Sequence, residues 1–408
     1  MRKGKNEKGI TLIALVITVI VLLILAGITI AALSGDNGIL TRAKEAKEKT
    51  EQAQKEEEKT LSNMERILNN ETNFNNVKTE DTNPAGAMPT NVTILESDAN
   101  KGIVIKDKNN NEWVWIEVPK TTVFTGLTID ITKTLTEENY TAIKNKLITY
   151  ATTYREGKSG QGCNWADEWY EGCGMTSDEY TIAYQKMLKS IYTYGGFWIG
   201  RYEAGIEGSV DDISKARTSH TDITIGISPK AISKKDAIPY NYVYCSEAQA
   251  LAKEMTPDSN CTSSLMFGIQ WDLVCRFLEV KGGLAIADIN SDSSSWGNYS
   301  NVTRIITSDK AKQETGNTWK AIKGTKPANS VLLTTGASEE TNKMNIYDFA
   351  GNEWEWTLEK TSDNKVFCAG RGGYYNNEGS NYPVSYRDKY SITGSDYDIS
   401  FRCVLYKL

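Results

Sequence analysis

The sequence contains a single histidine, His220, among its 408 residues. One imidazole cannot build a metal site that needs several histidines, and its Ser/Thr-rich surroundings predict an exposed loop residue. We find no phosphate-binding glycine loop, no H-E-x-x-H helix and no Ser-His-Asp set. The sequence therefore lacks the common signatures of metalloproteases, serine hydrolases and nucleotide-binding enzymes.

Positive charge is not in excess either. The chain has 46 Lys and Arg against 52 Asp and Glu, so its formal net charge is −6. Because binding to phosphate backbones needs a basic face, nucleic acid is not an expected partner. The 21 tyrosines are numerous, and tyrosine joins an apolar ring to a polar end, which suits binding surfaces.

One long uncharged run occupies residues 10–33. At about 1.5 Å per residue, a helix of this length crosses a hydrocarbon core of about 30 Å. Residues 1–9 are basic, so we expect them in the cytoplasm and the C-terminal domain outside a single-pass cell-membrane anchor. A cleaved secretory signal peptide is the alternative, although its apolar region would be shorter.

The start of this run resembles the leader of type IV prepilins. A short basic segment ends at Gly9, and Ile10 begins the apolar helix. The resemblance implies a prepilin peptidase that cleaves after Gly9 and methylates Ile10. That family usually has glutamate at the fifth mature position, which aids subunit registration, whereas this chain has Ala14. Pilin subunits as partners in a filament, a pseudopilin and a plain membrane anchor therefore stay open.

Two segments follow before the globular part. Residues 34–68 are expected to form a helical stalk, because small apolar residues recur at helical spacing beside i,i+4 charge pairs. Residues 69–99 are rich in Asn and Thr and show no period, so they are expected to be a linker. The globular domain is expected over residues 100–408.

Periodicity in this domain indicates an α+β fold. Alternation over 102–118 predicts a β-hairpin, and helical spacing predicts helices at 136–154, from Ser177 to Gly195, and at 271–279. Residues 284–342 lack a period and are expected to be a long loop.

Several motifs appear in order along the domain. They are GGFWIGRYEA at 195–204, WDLVCRFLE at 271–279, WGNYS at 296–300, NIYDFAGNEWEWT at 345–357, RGGYYNN at 371–377 and SFRC at 400–403. This order resembles the formylglycine-generating-enzyme (sulfatase-modifying factor) family. The resemblance implies that family's variant of the C-type lectin fold.

The resemblance does not extend to the chemistry of the enzymes. Members that make formylglycine hold copper(I) with a cysteine pair between the RGG turn and the FRC strand, but residues 371–402 contain no cysteine. Sulfoxide-synthase relatives bind iron through several histidines, and His220 is alone. We therefore predict that the protein is not an enzyme. An oxidase of formylglycine-generating type with an altered metal site is the alternative.

The cysteines that are present suggest structural roles. Cys163 and Cys173 bracket a polar loop and form either a disulfide or two free thiols. Four others are expected to be small buried residues: Cys245, Cys275, Cys368 and Cys403.

Asn352 and Glu355 lie in the turn where, by resemblance, this family often carries a structural calcium ion. Oxygen ligands suit that ion. A hydrogen-bonded turn is the alternative, and no other cofactor is predicted.

The interval 371–403 is rich in Tyr, Asn, Ser and Asp. Tyrosine supplies rigid amphipathic area, and small polar residues supply adaptable hydrogen bonds, as in antibody paratopes. The interval resembles the variable region of proteins diversified by retroelements, in which a reverse transcriptase alters adenines and so scatters Asn codons. A tyrosine-rich loop with ordinary turns is the alternative. The predicted ligand-binding residues are Tyr374, Tyr375, Asn376, Asn377, Asn381, Tyr382, Tyr386, Arg387, Asp388, Tyr390, Tyr397 and Asp398.

Together these features predict a receptor or adhesin held at the cell surface. A pilin-like helix would carry a C-type lectin domain whose tyrosine-rich face binds a protein or a glycan. The oxidase named above and a structural minor pilin with an inert head are the alternatives.

Overall fold

The computed structural model describes residues 16–25, 44, 46–47, 49–54, 81–155, 164–361 and 367–407. The chain forms two compact units, Met1–Asn69 and Asn70–Leu408. In the first unit the described residues are helical. Within the described part of the chain, no helix has both the length and the apolar character to cross a membrane. Gly9, Ile10 and much of the predicted anchor, stalk and linker lie outside the described residues.

The second unit mixes helices and strands. Its helices are α1 (Lys120–Val123), α2 (Glu137–Tyr150), α3 (Thr152–Arg155), α4 (Ser177–Tyr194), α5 (Cys245–Glu254), α6 (Gly268–Val280) and α7 (Ile286–Asn290). Its strands up to the middle of the chain are β1 (Thr93–Glu96), β2 (Val104–Lys106), β3 (Glu112–Glu117), β4 (Trp165–Ala166), β5 (Gly196–Gly200), β6 (Gly205–Ile206), β7 (Ala231–Ile232) and β8 (Cys261–Leu265). The later strands are β9 (Arg304–Ile306), β10 (Lys312–Thr315), β11 (Thr318–Ala321), β12 (Gly324–Lys326), β13 (Trp354–Thr361), β14 (Phe367–Arg371), β15 (Arg387–Ser391), β16 (Ile399–Phe401) and β17 (Cys403–Lys407).

A six-stranded antiparallel sheet forms the base of the domain, in the order β1-β2-β3-β5-β17-β8. The predicted hairpin over 102–118 is confirmed as β2 and β3, which pair with Ile105 opposite Trp113. Strand β17 lies between β5 and β8, so it is hydrogen-bonded on both sides within the sheet. The residues that follow the candidate recognition segment are therefore rigidly held.

A second sheet has the order β15-β14-β13-β16, and β4 also pairs with β13. Strand β13 is antiparallel to β14 and parallel to β16, with Trp356 opposite Phe401. Both tryptophans of β13, Trp354 and Trp356, are buried. This sheet brings the two ends of the interval 371–403 together, because β14 and β16 flank the same strand.

The helices begin and end at recognisable signals. Thr176 caps α4, since its hydroxyl accepts from the N–H of Glu179 and the Glu179 carboxylate accepts from the N–H of Thr176. The sequence predicts that this helix starts at about Ser177 with that residue as its cap, but Ser177 is the first helical residue and Thr176 is the cap. Gly195 ends the helix in the left-handed region at φ 72°. The expected helices at 136–154 and 271–279 are confirmed as α2 with α3 and as α6.

The linker predicted over 69–99 is wrong in its described part. Thr93–Glu96 is the first strand of the six-stranded sheet, and the indole N–H of Trp198 donates to the Ala87 carbonyl at 3.1 Å. Ile94 and Ala87 are buried. Short segments with few apolar residues can still join a sheet edge when tertiary partners cover them, so composition alone missed this strand.

The long loop predicted over 284–342 is also wrong. It contains helix α7 and strands β9 to β12, which form two small antiparallel pairs. The pair of β10 and β11 is joined by Gly316 and Asn317, with φ of 56° and 60°. Two residues with positive φ are typical of the tight turns of β-hairpins, so the Gly-Asn dipeptide was the signal that should have identified it.

Candidate recognition surface

The interval 371–403 leaves the second sheet at β14 and returns to it at β16. Arg371 is the last residue of β14, and Gly372 and Gly373 turn the chain at φ of 95° and 77°. A side chain on Gly373 would meet the Tyr382 carbonyl oxygen, so this close approach requires glycine. Between the two strands the chain forms turns and the edge strand β15.

Groups outside the interval hold its backbone in place. The Tyr299 hydroxyl lies 2.9 Å from the Gly372 carbonyl and 3.1 Å from that of Tyr382. The N–H and hydroxyl of Ser300 donate to the Asn377 carbonyl at 2.9 and 2.8 Å. The Trp271 indole donates to the carbonyl of Val384 at 3.0 Å. The path of this segment thus depends little on its own exposed side chains.

The later part of the interval is anchored in the same way. The Ser293 hydroxyl accepts from the N–H of Val384 at 3.0 Å. The Asn241 amide donates to the Tyr397 carbonyl at 3.2 Å, and the backbone N–H of Trp354 donates to the carbonyl of Asp398 at 2.9 Å. These anchors extend to the entry of β16.

Most of the predicted ligand-binding side chains reach the surface. Asn376, Asn381 and Tyr397 are exposed, and Tyr397 has 40% of its area accessible. Eight others are half-buried: Tyr374, Tyr375, Asn377, Tyr382, Tyr386, Asp388, Tyr390 and Asp398. Arg387 is buried, so its side chain does not reach the surface.

Three tyrosines of the interval pack on the tryptophans of β13. The rings of Tyr382, Tyr386 and Tyr390 lie 5.7, 6.0 and 6.3 Å from that of Trp354. Tyr382 and Tyr386 also meet edge to face at 5.0 Å. Each of these side chains therefore has an inner contact with the core and an outer face toward solvent.

A second group gathers at the start of the interval. The rings of Tyr374 and Tyr375 meet edge to face at 5.3 Å. The Asn376 amide donates to the Tyr374 hydroxyl at 3.3 Å, and the hydroxyl of Ser330 donates to the Asn376 carbonyl. The Asn377 side chain accepts from the N–H of Tyr374 at 3.1 Å, which is a local turn contact.

A cavity of about 620 Å³ opens beside this second group. Tyr375 and Tyr397 contribute to it from the interval, and Tyr242 and Glu314 contribute from elsewhere in the chain. The rest of its lining comes from β10, the turn after β10 and the segment 327–332. We call it the tyrosine cavity. Sequence reasoning missed Tyr242 and Glu314, because no pattern links them to residues 375 and 397.

Burial raises the proton affinity of several acidic groups near the surface. Burial raises the pKa of Asp398 to about 6, although the Tyr390 hydroxyl donates to it at 3.0 Å. Burial also raises the pKa of Asp388, and that of Tyr386 to about 12. Tyr386 is therefore neutral at physiological pH.

Arg387, predicted to bind ligand, belongs instead to a buried ion network. Its guanidinium pairs with Asp272 at 2.7 Å and with Glu359 at 3.0 Å. Arg371 contacts the same two carboxylates at 2.9 and 3.1 Å, and Arg155 joins them at 3.1 and 2.8 Å. Burial alone would raise the pKa of Asp272, but the arginines outweigh it and hold this pKa below its usual range. The prediction was wrong because a strand alternates its faces, and residue 387 faces inward.

Asn352 and Glu355, the predicted calcium ligands, carry hydrogen bonds to protein groups. Both oxygens of Glu355 accept from Arg402, at 2.7 to 3.2 Å. The Asn352 amide donates to Glu203 at 2.7 Å, and its carbonyl accepts from Asn298 at 2.9 Å. These contacts match the alternative of a hydrogen-bonded turn, and calcium binding there stays a prediction.

Two further carboxyls, Glu353 and Glu203, are buried beside this turn, and Arg402 near Glu203 only partly opposes the effect of burial. Glu353 is buried; one of its oxygens accepts from Asn241 at 2.9 Å, and the other has no hydrogen-bond partner among the described residues. Burial raises the pKa of Glu353 and of Glu203 well above the usual range for glutamate. Both carboxyls therefore keep their protons at pH values above the usual pKa of glutamate.

Cysteines and histidine provide the other potential metal ligands. Cys245, Cys275, Cys368 and Cys403 are buried free thiols, as predicted. Cys173 is also a free buried thiol, whereas Cys163 lies outside the described residues. His220, Asp222 and Glu247 place one ligand atom each within 4.8 Å of one another. His220 is half-buried and stacks on Tyr244 at 4.0 Å, so it is not the exposed loop residue that we expected.

Comparison with known proteins identifies the family. Residues 83–407 match the family model of the sulfatase-modifying factor enzyme 1-like domain, so the chain belongs to the formylglycine-generating-enzyme (sulfatase-modifying factor) family. The α+β fold is that family's variant of the C-type lectin fold, as predicted.

Two solved structures are similar at low identity. One is described as CarF and the other as Treponema denticola variable protein 1, and each is 13% identical to this chain. Both cover 52% of this chain, with 87% and 85% of their own chains aligned and TM-scores of 0.32 and 0.29. No curated protein matches the chain. These likenesses are too distant to bear on function.

Proposed function

We propose that this protein is a surface-displayed receptor or adhesin whose interval 371–403 is a diversified recognition surface for a protein or a glycan. The observation that carries the proposal is the anchoring of that interval by Tyr299, Ser300, Trp271 and Ser293, which lie outside it. A surface held in this way tolerates changes in its own side chains. Such tolerance is what diversification requires.

The composition of the exposed side chains supports binding. Tyrosines held by ring contacts lose little conformational entropy when they meet a partner, and the asparagines adapt their hydrogen bonds. A few such residues commonly supply most of the affinity of an interface. The interval has exposed side chains, and two of its tyrosines, Tyr375 and Tyr397, also line a cavity.

An absence of oxidase activity is part of the proposal. Burial raises the pKa of Cys368 and Cys403, which disfavours the thiolate form that copper(I) binds. Cys368 lies beside Cys245, whose sulfur is 3.3 Å from the Tyr170 hydroxyl inside the core. Copper or iron retained by the purified chain, with turnover of a cysteine-containing peptide, would favour the oxidase instead.

Display at the cell surface rests on the N-terminal sequence. The apolar residues 10–33 would anchor the chain in the membrane after a prepilin peptidase acts at Gly9 and Ile10. The domain would then lie outside the cell, alone or with pilin subunits in a filament. A structural minor pilin with an inert head is distinguished by an invariant tyrosine face.

Codon comparison tests diversification directly. The codons for 371–403 should differ among independent isolates at the exposed positions, and they should be invariant at Arg371, Gly372, Gly373, Phe401 and Arg402. A near-copy differing only at adenines should lie near a reverse-transcriptase gene. Uniform codons across isolates would contradict diversification.

Arrays of glycans and cell-surface proteins test binding. The full chain should bind at least one array member, and Tyr374→Ala combined with Asn381→Ala should weaken binding about tenfold or more. Neither residue lines the tyrosine cavity. Ile227→Ala is the control, because Ile227 is 82% exposed and lies outside the interval. If Ile227→Ala weakened array binding as much as the double variant, the loss of binding would not be specific to the proposed surface.

A further inference from the structure

The residues that line the tyrosine cavity fall into two groups, one inside the proposed variable interval and one outside it. Tyr375 and Tyr397 lie in the interval that we propose to vary, whereas Tyr242 and Glu314 lie outside it. In any diversified set, the second pair would be common to all versions. The chemistry of the fixed wall therefore sets what every version of the cavity can accept.

The charge of the fixed wall is negative. None of the described residues that line the cavity is basic, and Glu314 is its one carboxylate. Burial raises the pKa of Glu314, and no neighbouring cation opposes that effect. A half-buried carboxylate without a cation is costly, and a bound positive group would offset this cost.

The side chain of Tyr242 has acidic neighbours, whereas its backbone carbonyl accepts from the Arg217 guanidinium at 2.8 Å. Apart from burial, the groups that raise the pKa of Tyr242 are Glu314, Asp396, Glu353 and Tyr397, and none of them is a cation. Burial together with Glu353 and Glu314 also raises the pKa of Tyr375. The potential in this part of the surface therefore favours positive charge.

Aromatic rings complete the site. The faces of tyrosine rings attract cations that lie within about 6 Å of the ring centre. Three tyrosines line the cavity, and they come from three separate parts of the chain. Rings arranged with a carboxylate form the type of cage that recognises organic cations.

The backbone at Tyr242 is strained, which points to a selected orientation. Its φ is 55°, a left-handed value that bulky residues rarely adopt because it is energetically unfavourable. The N–H of Tyr242 donates to the Asp396 carbonyl at 3.0 Å, which ties it to the interval next to Tyr397. Strain of this kind is typical of ligand-binding positions.

We propose that the tyrosine cavity binds an organic cation, supplied by a lysine or arginine side chain of a protein partner. Glu314 and Tyr242 select the positive charge, and Tyr375 and Tyr397 shape the entrance for a particular partner. This inference rests on the proposed recognition function, because it treats Tyr375 and Tyr397 as part of that surface. A free quaternary amine shares the same chemistry and is the other source to be tested.

Titration of the full chain with choline and with its neutral isostere 3,3-dimethylbutan-1-ol tests the charge preference. Choline should bind at least about tenfold more tightly, since aromatic and carboxylate contacts act on the cation alone. Calorimetry or chemical-shift changes measure both. Equal binding of the two compounds would overturn the proposal.

Variants then assign the effect to named residues. Glu314→Gln should weaken choline binding about tenfold, and Tyr242→Leu about three- to thirtyfold. Glu207→Gln is the matched control, because it removes the same charge from an exposed residue outside the cavity. If Glu314→Gln binds choline as the unaltered chain does, the cavity is not the cation site. A Tyr242 variant that fails to fold leaves Glu314→Gln to decide.

N-acetyl-lysine amide and N-acetyl-arginine amide distinguish the two sources. Binding of either at least as tight as that of choline supports a protein partner, whereas binding of choline alone overturns it. The proposed function is judged separately, by codon variation and by Tyr374→Ala with Asn381→Ala. Loss of array binding in that double variant with unchanged choline binding in Glu314→Gln would reject only the present inference.

Discussion

Arg387 lies in an interval of surface residues, yet its guanidinium is one of three that share two buried carboxylates. The network joins α3, α6, β13, β14 and β15 through Asp272 and Glu359. Its position at the start of β15 fixes that edge strand to the core. A diversified interval would have to retain this arginine.

Arg387→Ala should destabilise the fold by about 3–5 kcal/mol, because it leaves buried carboxylate charge uncompensated. Urea unfolding of the full chain measures this change. Lys310→Ala is the control, since its pair with Asp211 is exposed and contributes about 1 kcal/mol or less. A variant that unfolds normally but no longer binds its ligand would restore Arg387 to the recognition surface.

Asp398 gives a pH dependence with a definite sign. Its pKa is about 6 in the folded state against 3.8 for the ordinary carboxyl, so the folded state keeps a proton that the unfolded state has lost. The stability contribution of Asp398 is therefore largest below about pH 4 and declines as the pH rises through about 6.

Asp398→Asn should remove this decline. Relative to the unaltered chain, the variant should gain up to about 3 kcal/mol between pH 4 and pH 7, since each pH unit corresponds to about 1.4 kcal/mol. Urea unfolding of both proteins at several pH values gives the difference, in which other titrating groups cancel. A constant difference across this range would show that the carboxyl titrates normally.

At the scale of elements, the junction of α4 and β5 joins the longest helix among the described residues to the centre of the six-stranded sheet. Gly195 has a φ of 72°, and a Cβ there would lie 2.1 Å from the Asp81 carbonyl oxygen. Gly196 follows directly in β5, so the turn has no room to relax. This close approach also holds residues 81–82 of the segment predicted to be a linker.

Gly195→Ala should destabilise the domain by more than the roughly 1–3 kcal/mol expected for the left-handed backbone alone, because the clash adds to it. Gly226→Ala is a matched control, since Gly226 has a φ of 82° with open space around its Cα. Thermal unfolding of both variants separates the two effects. Equal destabilisation of the two variants would show that the backbone near Asp81 shifts to avoid the clash at no energetic cost.

At the scale of the whole molecule, the chain has an N-terminal unit, Met1–Asn69, and a domain of the sulfatase-modifying factor family. The proposed role needs the N-terminal unit as well as the domain, because the membrane anchor would keep the recognition surface at the outside of the cell. In this proposal the domain binds the ligand, and residues 1–33 direct the chain to the membrane.

Co-expression with a prepilin peptidase should shorten the chain by residues 1–9 and add a methyl group at Ile10. Intact-mass measurement detects both changes. Gly9→Leu should block them, whereas Gly4→Leu, which changes another leader glycine, should not. Processing at a different bond would favour the secretory signal peptide.

Much of the fold could be predicted from the sequence because its signals are local. The hairpin of β2 and β3, the helices α2, α4 and α6, and the buried cysteines follow from periodicity, caps and glycine stops. The ordered motifs identified the family, and the missing cysteine pair was visible without coordinates. Strand β1 and the strands β9 to β12 were missed because each has only three or four residues, too few to show a period.

The tertiary structure alone decided which residues form the site. Tyr242, Glu314, Tyr375 and Tyr397 are far apart in the chain and meet at one cavity, and Arg387 turns inward beside residues that turn outward. Local patterns record which residues favour helix or strand, but contacts between distant residues depend on how the elements pack. Composition determined that this protein has a tyrosine-rich interval, and packing decided which of its side chains a partner can reach.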